Sequence, residues 1–131
     1  MTSRSPLTGA RLLVEALAAN GVERVFTVPG ESFLDVLDAL ADSPIASILC
    51  RHESGAAMMA DCTGRLTGRP GIAFVSRGPG ACNAAAGVHI ASQDSSPMIL
   101  FVGQIERGAR HREAFQEVDY GRMFGGMAKW V

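Results

Sequence analysis

Glu53 stands where a carboxylate can do chemistry. It follows a short apolar run, Ile45 to Cys50, and opens a helix-forming stretch rich in Ala, Met and Gly. One acidic group is thus set at the end of a strand expected to be buried, among neighbours too small or too apolar to screen it. A charge in such a place pairs, neutralises or reacts. Position alone favours a cap or an ion pair; the surrounding motifs reverse that order. Gly78-Pro79-Gly80 is the second candidate. It reads either as a tight strand-to-helix turn or as main chain bared for close approach of a ligand, since glycine has no side chain to obstruct one. It lacks the Lys-Ser/Thr of a phosphate loop, and no Gly-x-Gly-x-x-Gly follows a strand. Phe115-Gln116 is the third, an aromatic beside an amide in an otherwise charged run, Glu106 to Glu117, that reads as a solvated loop. The pair lines a pocket or pins the loop.

Other chemistries find little support. His52, His89 and His111 have no metal-ligand spacing, so no metal residue is assigned. His89, in a helix expected to be buried, reads as a core residue. Ser76 is not in a Gly-x-Ser-x-Gly elbow. Cys50, Cys62 and Cys82 show no Cys-x-x-Cys pairing and read as free, buried thiols in a reducing compartment.

The elements that must position these residues alternate along the chain. Helical periodicity over Thr8 to Ala19 stops at Asn20-Gly21. Arg24 to Val28 reads as a strand closed by Pro29-Gly30. An amphipathic helix then carries Phe33, Leu34, Leu37, Leu40 and Ala41 to Asp42-Ser43-Pro44. Ile45 to Cys50 is the second strand, Ser54 to Leu66 a helix, Ile72 to Ser76 the third strand. A helix from about Ala81 to Ser92 is apolar or small nearly all round, hence expected to be buried. Pro97 to Val102 is the fourth strand, and Asp119 to Phe124 turns helical. Strands separated by helices imply parallel βαβ units, and short apolar strands fit a sheet covered on both faces. Pro29-Gly30, Glu53, Arg77 to Gly80 and Gly103-Gln104 all follow strand carboxyl ends. In a parallel sheet those ends share the edge where ligands bind.

The 131 residues make one domain, 47% hydrophobic with a net charge of −1, which gives no reason to expect nucleic acid or an anionic membrane as partner. Eleven of the twelve basic residues are Arg. The start, Met1 to Pro6, is polar and unlike a signal peptide, no apolar run is long enough to span a bilayer, and a cytoplasmic protein is expected.

The combination Arg51-His52-Glu53-Gly55-Ala56-Ala57, Ala60-Asp61, Gly64-Arg65, Gly78-Pro79-Gly80-Ala81, Asn83, Asp94-Ser95, Pro97-Met98, Gly103-Gln104 and Ala114-Phe115-Gln116-Glu117 resembles thiamine diphosphate-dependent enzymes. The likeness is to the amino-terminal, pyrimidine-binding domain of the acetolactate synthase group and covers nearly the whole chain from residue 8. It implies a flavodoxin-like α/β fold, a parallel sheet between helices. It implies that Glu53 is catalytic: it hydrogen-bonds the pyrimidine nitrogen of the cofactor and promotes removal of the thiazolium C2 proton. A carboxyl group in a water-poor pocket of small residues can share a proton with a ring nitrogen. The resemblance also implies that Pro29, Gly30, Gly78 and Pro79 border the cofactor, and that Phe115 and Gln116 border a pocket for a 2-oxo acid.

Arg77 and Ile105-Glu106 depart from the group's usual residues, which leaves the product open among decarboxylase, lyase and carboligase. Magnesium is held in the family by a Gly-Asp-Gly motif of another domain, and this chain has no such motif. The expectation is a pyrimidine-binding domain over residues 1–131 lacking its last strand and helix, inactive alone, from an enzyme that assembles as a homodimer or homotetramer. One subunit of a split enzyme, or an assembly module with the same fold, are the alternatives. Whether FAD is bound is left open.

Overall fold

The computed structural model describes residues 7–131; the reading of Met1 to Pro6 lies outside them. Four parallel strands, β1 (Arg24–Thr27), β2 (Ala46–Leu49), β3 (Gly71–Val75) and β4 (Met98–Val102), form one sheet in the order β2-β1-β3-β4. The helices are α1 (Gly9–Ala19), α2 (Leu34–Ala41, after a 3-10 turn over Glu31–Phe33), α3 (Glu53–Thr67), α4 (Gly78–Gln93) and the short α5 (Tyr120–Phe124). This is the expected α/β sandwich. Between β1 and β3 the strand order reverses, and the helices that follow them, α2 and α4, lie on opposite faces of the sheet.

Local chemistry explains the boundaries. Thr8 caps α1, its hydroxyl accepting from Arg11 N at 3.2 Å, and Gly21 at φ +73° lets the chain turn away. His52 caps α3 through Nδ1, which accepts from Ser54 N at 3.2 Å, so Glu53 is the first residue of the helix. Likewise α4 begins at Gly78, three residues earlier than the sequence suggests. The Gly-Pro-Gly turn is the first turn of the helix, because proline's fixed φ suits that position and its missing N–H is no loss there.

The two faces of the sheet are built differently. On one, α1 and α2 bury Val14, Leu17, Val25, Phe33, Leu40, Ile45, Ile72 and Phe74; the Phe74 ring stacks on Phe101 at 4.6 Å between centroids, adding about 0.5–1.5 kcal/mol beyond area burial. On the other, α3 and α4 pack through Ala56, Ala57, Ala60 and Ala84 against Phe26, Ala73 and Val75. Small residues bring these helices together: a Cβ on Gly87 would overlap Ala57.

Four expectations need correction. The second strand, β2, is the edge of the sheet and exposed along its length; an apolar run reads alike in central and edge strands. Only one face of α4 is buried, through Gly80, Ala84, Gly87 and Ala91 among others, because alanine and glycine carry no sign of which side faces water. His89 is exposed on its outer face rather than in the core. The cysteines are free but not buried, Cys62 and Cys82 being exposed and Cys50 half-buried.

The far end of α3 is held by ions. Arg65 Nη2 lies 2.8 Å from Asp61 Oδ2 and also pairs with Asp94 at the end of α4. Asp61 is only 5% exposed. Burial works to raise its pKa, but the Arg65 hydrogen bond, the Ser96 hydroxyl and the Arg65 charge outweigh burial and hold it below the ordinary 3.8. A depressed folded-state pKa stabilises fully above the unfolded value and is lost as pH falls through the folded one. Asp61→Asn should therefore lower stability at neutral pH and flatten the loss of stability below 3.8. Urea melts of both proteins across the acid range check this, and parallel acid limbs would contradict it. Gly87→Val should cost about 1–3 kcal/mol by overpacking; an unchanged urea midpoint would show that α3 and α4 can separate freely.

Candidate functional site

The rim at the carboxyl ends of the strands gathers the residues singled out in the sequence. Glu53 sits on the first turn of α3, where main-chain N–H groups favour its negative charge. Its Oε2 accepts from Asn83 Nδ2 at 2.9 Å. Its Oε1 faces the first turn of α4, 3.5 Å from where a Cβ on Gly80 would lie. Among the described residues no hydrogen bond reaches Oε1. Glu53 is half-buried rather than enclosed in a dry pocket: small neighbours leave a shallow wall, not a lid.

The other loops join beside it. A Cβ on Gly30, after β1, would overlap Ser76 at the end of β3. Ser32 and Ser76 share a hydroxyl hydrogen bond of 3.0 Å, and a side chain on Gly103, after β4, would run into Ser32. Pro29 is exposed, Gly78 is buried and Pro79 is exposed. Gly78 N donates to Gln116 O at 3.0 Å, so the Phe115-Gln116 loop rests on the start of α4. Gln116 adopts φ +64° to do so, and Phe115 is left 73% exposed, not lining an enclosed pocket within this chain.

That loop is more ordered than its charged sequence suggests. The Glu117 carboxylate accepts from His111 N at 2.6 Å and Ala114 N at 3.1 Å. The main-chain bond from His111 leads in lowering its pKa, against a smaller desolvation effect. Tyr120 donates to Gly103 O at 3.2 Å, and Gln104 Nε2 donates to Val118 O at 3.3 Å. Burial, then the nearby Cys82, push the Tyr120 hydroxyl's pKa up, with Arg77 opposing.

Arg77 ends β3's loop and precedes α4, and its Nη2 pairs with Glu31 Oε1 at 3.0 Å. Asn83, a motif residue with no role assigned from the sequence, is brought to the Glu53 carboxylate. An amide on an exposed helix position three residues after a glycine was the available signal for Asn83.

Two hollows lie elsewhere, one of about 490 Å³ between α1 and the turn before α2, one of about 460 Å³ at the opposite end around Leu17, Asn20, Arg69 and Ile99. Neither includes Glu53. Among the described residues no three His, Cys, Asp or Glu side chains group as metal ligands, and no helix is long and apolar enough to cross a membrane. Chemically, then, the rim presents the Glu53 carboxylate with its two oxygens in different surroundings. One of its oxygens is anchored by an amide and the other lies beside the main chain of Gly80 with no hydrogen bond among the described residues.

Residues 7–123 match the family described as thiamine pyrophosphate enzyme, N-terminal TPP binding domain. The chain is 39% identical over 122 residues, 93% of its length, to acetolactate synthase of Bacillus subtilis (strain 168), covering 21% of that protein. It is 43% identical over 113 residues, 86% of its length, to the acetolactate synthase isozyme 2 large subunit of Escherichia coli (strain K12), again covering 21%. With the large subunit of Haemophilus influenzae the identity is 44% over 114 residues, 86% of this chain and 20% of the relative. The chain thus spans about a fifth of the length of the curated relatives it matches. With a carboxylate at the head of α3, a Gly-Pro-Gly helix start beside it and this match over most of its length, the chain belongs to the thiamine pyrophosphate enzymes, through their N-terminal TPP-binding domain.

Proposed function

We propose that this chain supplies the cofactor-activating side of the active site in a thiamine diphosphate-dependent 2-oxo acid decarboxylase or carboligase of the acetolactate synthase type. The observation that carries the reading is the Glu53 carboxylate, fixed through Oε2 by Asn83 and open through Oε1 toward Gly80. When bound, thiamine diphosphate supplies the nucleophilic carbon and the electron sink for loss of carbon dioxide from a 2-oxo acid.

The chain's own residues bind, orient and manage a proton. Glu53 would hold the proton shared with the pyrimidine ring of the cofactor, and Asn83 keeps the carboxyl group from rotating away. Gly30, Gly78 and Gly80 let the Ser76, Gln116 and Glu53 segments close in around the rim, while Pro29 and Pro79 stiffen the two turns. Phe115 and Gln116, carried on a loop fastened to Gly78, border the substrate. The half-exposed state of Glu53 fits a site completed by a second surface, in our reading the diphosphate- and magnesium-binding domain of another protomer in a homodimer or homotetramer. The reading puts the enzyme in the cytoplasm.

Two variants of the full-length protein test this. Glu53→Gln should reduce turnover of 2-oxo acids by about 10²–10⁴-fold, the usual scale for a positioned acid–base group, with a change in folding stability of about 0.5 kcal/mol or less, as for a partly exposed polar site. Near-normal turnover would rule the role out. Asn83→Ala should weaken thiamine diphosphate binding by roughly tenfold, the scale of one charge-assisted hydrogen bond. Calorimetric titration with the cofactor measures this, and an unchanged affinity would remove Asn83 from the site.

A further inference from the structure

We infer that Arg77 is a specificity-determining residue, selecting substrates that carry a second carboxylate away from the reacting carbonyl; this rests on the 2-oxo acid reading above. Arg77 is the residue immediately before α4. Its guanidinium pairs with Glu31, which follows β1, so it lies on the rim at the carboxyl ends of the strands.

The Arg77 side chain is only 19% exposed, and its one ion-pair partner among the described residues is Glu31, whose side chain is 68% exposed. Its Nε is buried with no acceptor. A buried donor left unpaired is costly, whereas an ion pair to an exposed, mobile carboxylate contributes little. The side chain is therefore held with one buried donor, Nε, unsatisfied and with a partner easily displaced. A ligand carboxylate would meet the planar fork on better terms than Glu31 does. A purely structural role is redundant, since the Ser32–Ser76 hydrogen bond and the contact of Gly30 with Ser76 already join the same two loops.

The chemistry says which carboxylate. In decarboxylation the bond from the carbonyl carbon to its carboxylate breaks. Carbon dioxide leaves uncharged, and the bonding pair stays on the remaining fragment, to be taken up by the cofactor. A cation fixed on that departing group would stabilise the reactant more than the transition state and slow the step. A cation at this rim helps a group that keeps its charge throughout without penalising the step, and a distal carboxylate is such a group.

The test compares 2-oxoglutarate with 2-oxopentanoate, which has the same carbon chain without the distal carboxylate. In the full-length protein loaded with thiamine diphosphate and magnesium, the wild type should favour 2-oxoglutarate in kcat/KM. Arg77→Ser should cut that preference roughly 10- to 100-fold, and Arg77→Lys should restore part of it. Glu31→Gln, which removes the competing carboxylate and leaves Arg77 in place, should increase the preference several-fold and reads out even if Arg77→Ser folds poorly. Calorimetric titration of the same proteins with glutarate and pentanoate measures recognition without turnover. Turnover with a preference unchanged in both Arg77→Ser and Glu31→Gln overturns the assignment of Arg77 and spares the proposed function. No turnover of either oxo acid, with glutarate binding that still depends on Arg77, overturns the proposed function and supports Arg77. No turnover and no Arg77-dependent binding overturns both.

Discussion

The close approach of α3 and α4 is the constraint on which the site depends. Gly87 meets Ala57 where any side chain would force the helices apart, and alanines fill the layer between them and the sheet. Glu53 and Asn83 lie on different helices, so their 2.9 Å hydrogen bond exists only at this spacing. Protein interiors are packed as tightly as organic crystals, and a displacement of one methylene is felt. The small residues of α3 and α4 therefore act on chemistry they never touch: they fix where the carboxylate stands.

The sheet determines what surrounds that carboxylate. With order β2-β1-β3-β4, the helices that follow β1 and β3 lie on opposite faces of the sheet. Loops after β1, β3 and β4 meet at Ser32, Ser76 and Gly103, while Glu53 enters from the β2 side. The Asp61–Arg65–Asp94 ion group secures α3 at its other end, so the helix that presents Glu53 is held at both extremities.

Most of this framework was legible in the residues. Periodicity gave every principal helix and strand, because helical spacing in α2 and the short apolar runs of β1, β3 and β4 coincide with clear stops such as Asn20-Gly21 and Gly68. The motif residues placed Glu53, Gly30 and Gly78 on one rim. What sequence could not convey was sidedness. Alanine and glycine look alike whether they face a sheet or water, so His89 and Cys82 on α4 were read as interior. An edge strand differs from a central one only in which neighbours pair with it, so β2 was read as covered. Glu117 looked like one more solvated charge, since a carboxylate that gathers main-chain N–H groups has no compositional mark. Asn83 was visible as a motif residue, but its partner lies thirty positions away.

The segment from Gly103 to Tyr120 is tied at its feet, Tyr120 to Gly103 and Gln104 to Val118, and cinched at its waist by Glu117. Lengthening or reshaping the tip of a loop whose ends stay anchored costs little, because closure entropy rises only slowly with length. Phe115 projects from this fastened segment with its ring exposed. Natural variation can therefore exchange the exposed aromatic without disturbing the scaffold beneath. Such a tether lets one ancestral framework explore new appetites by editing a few codons.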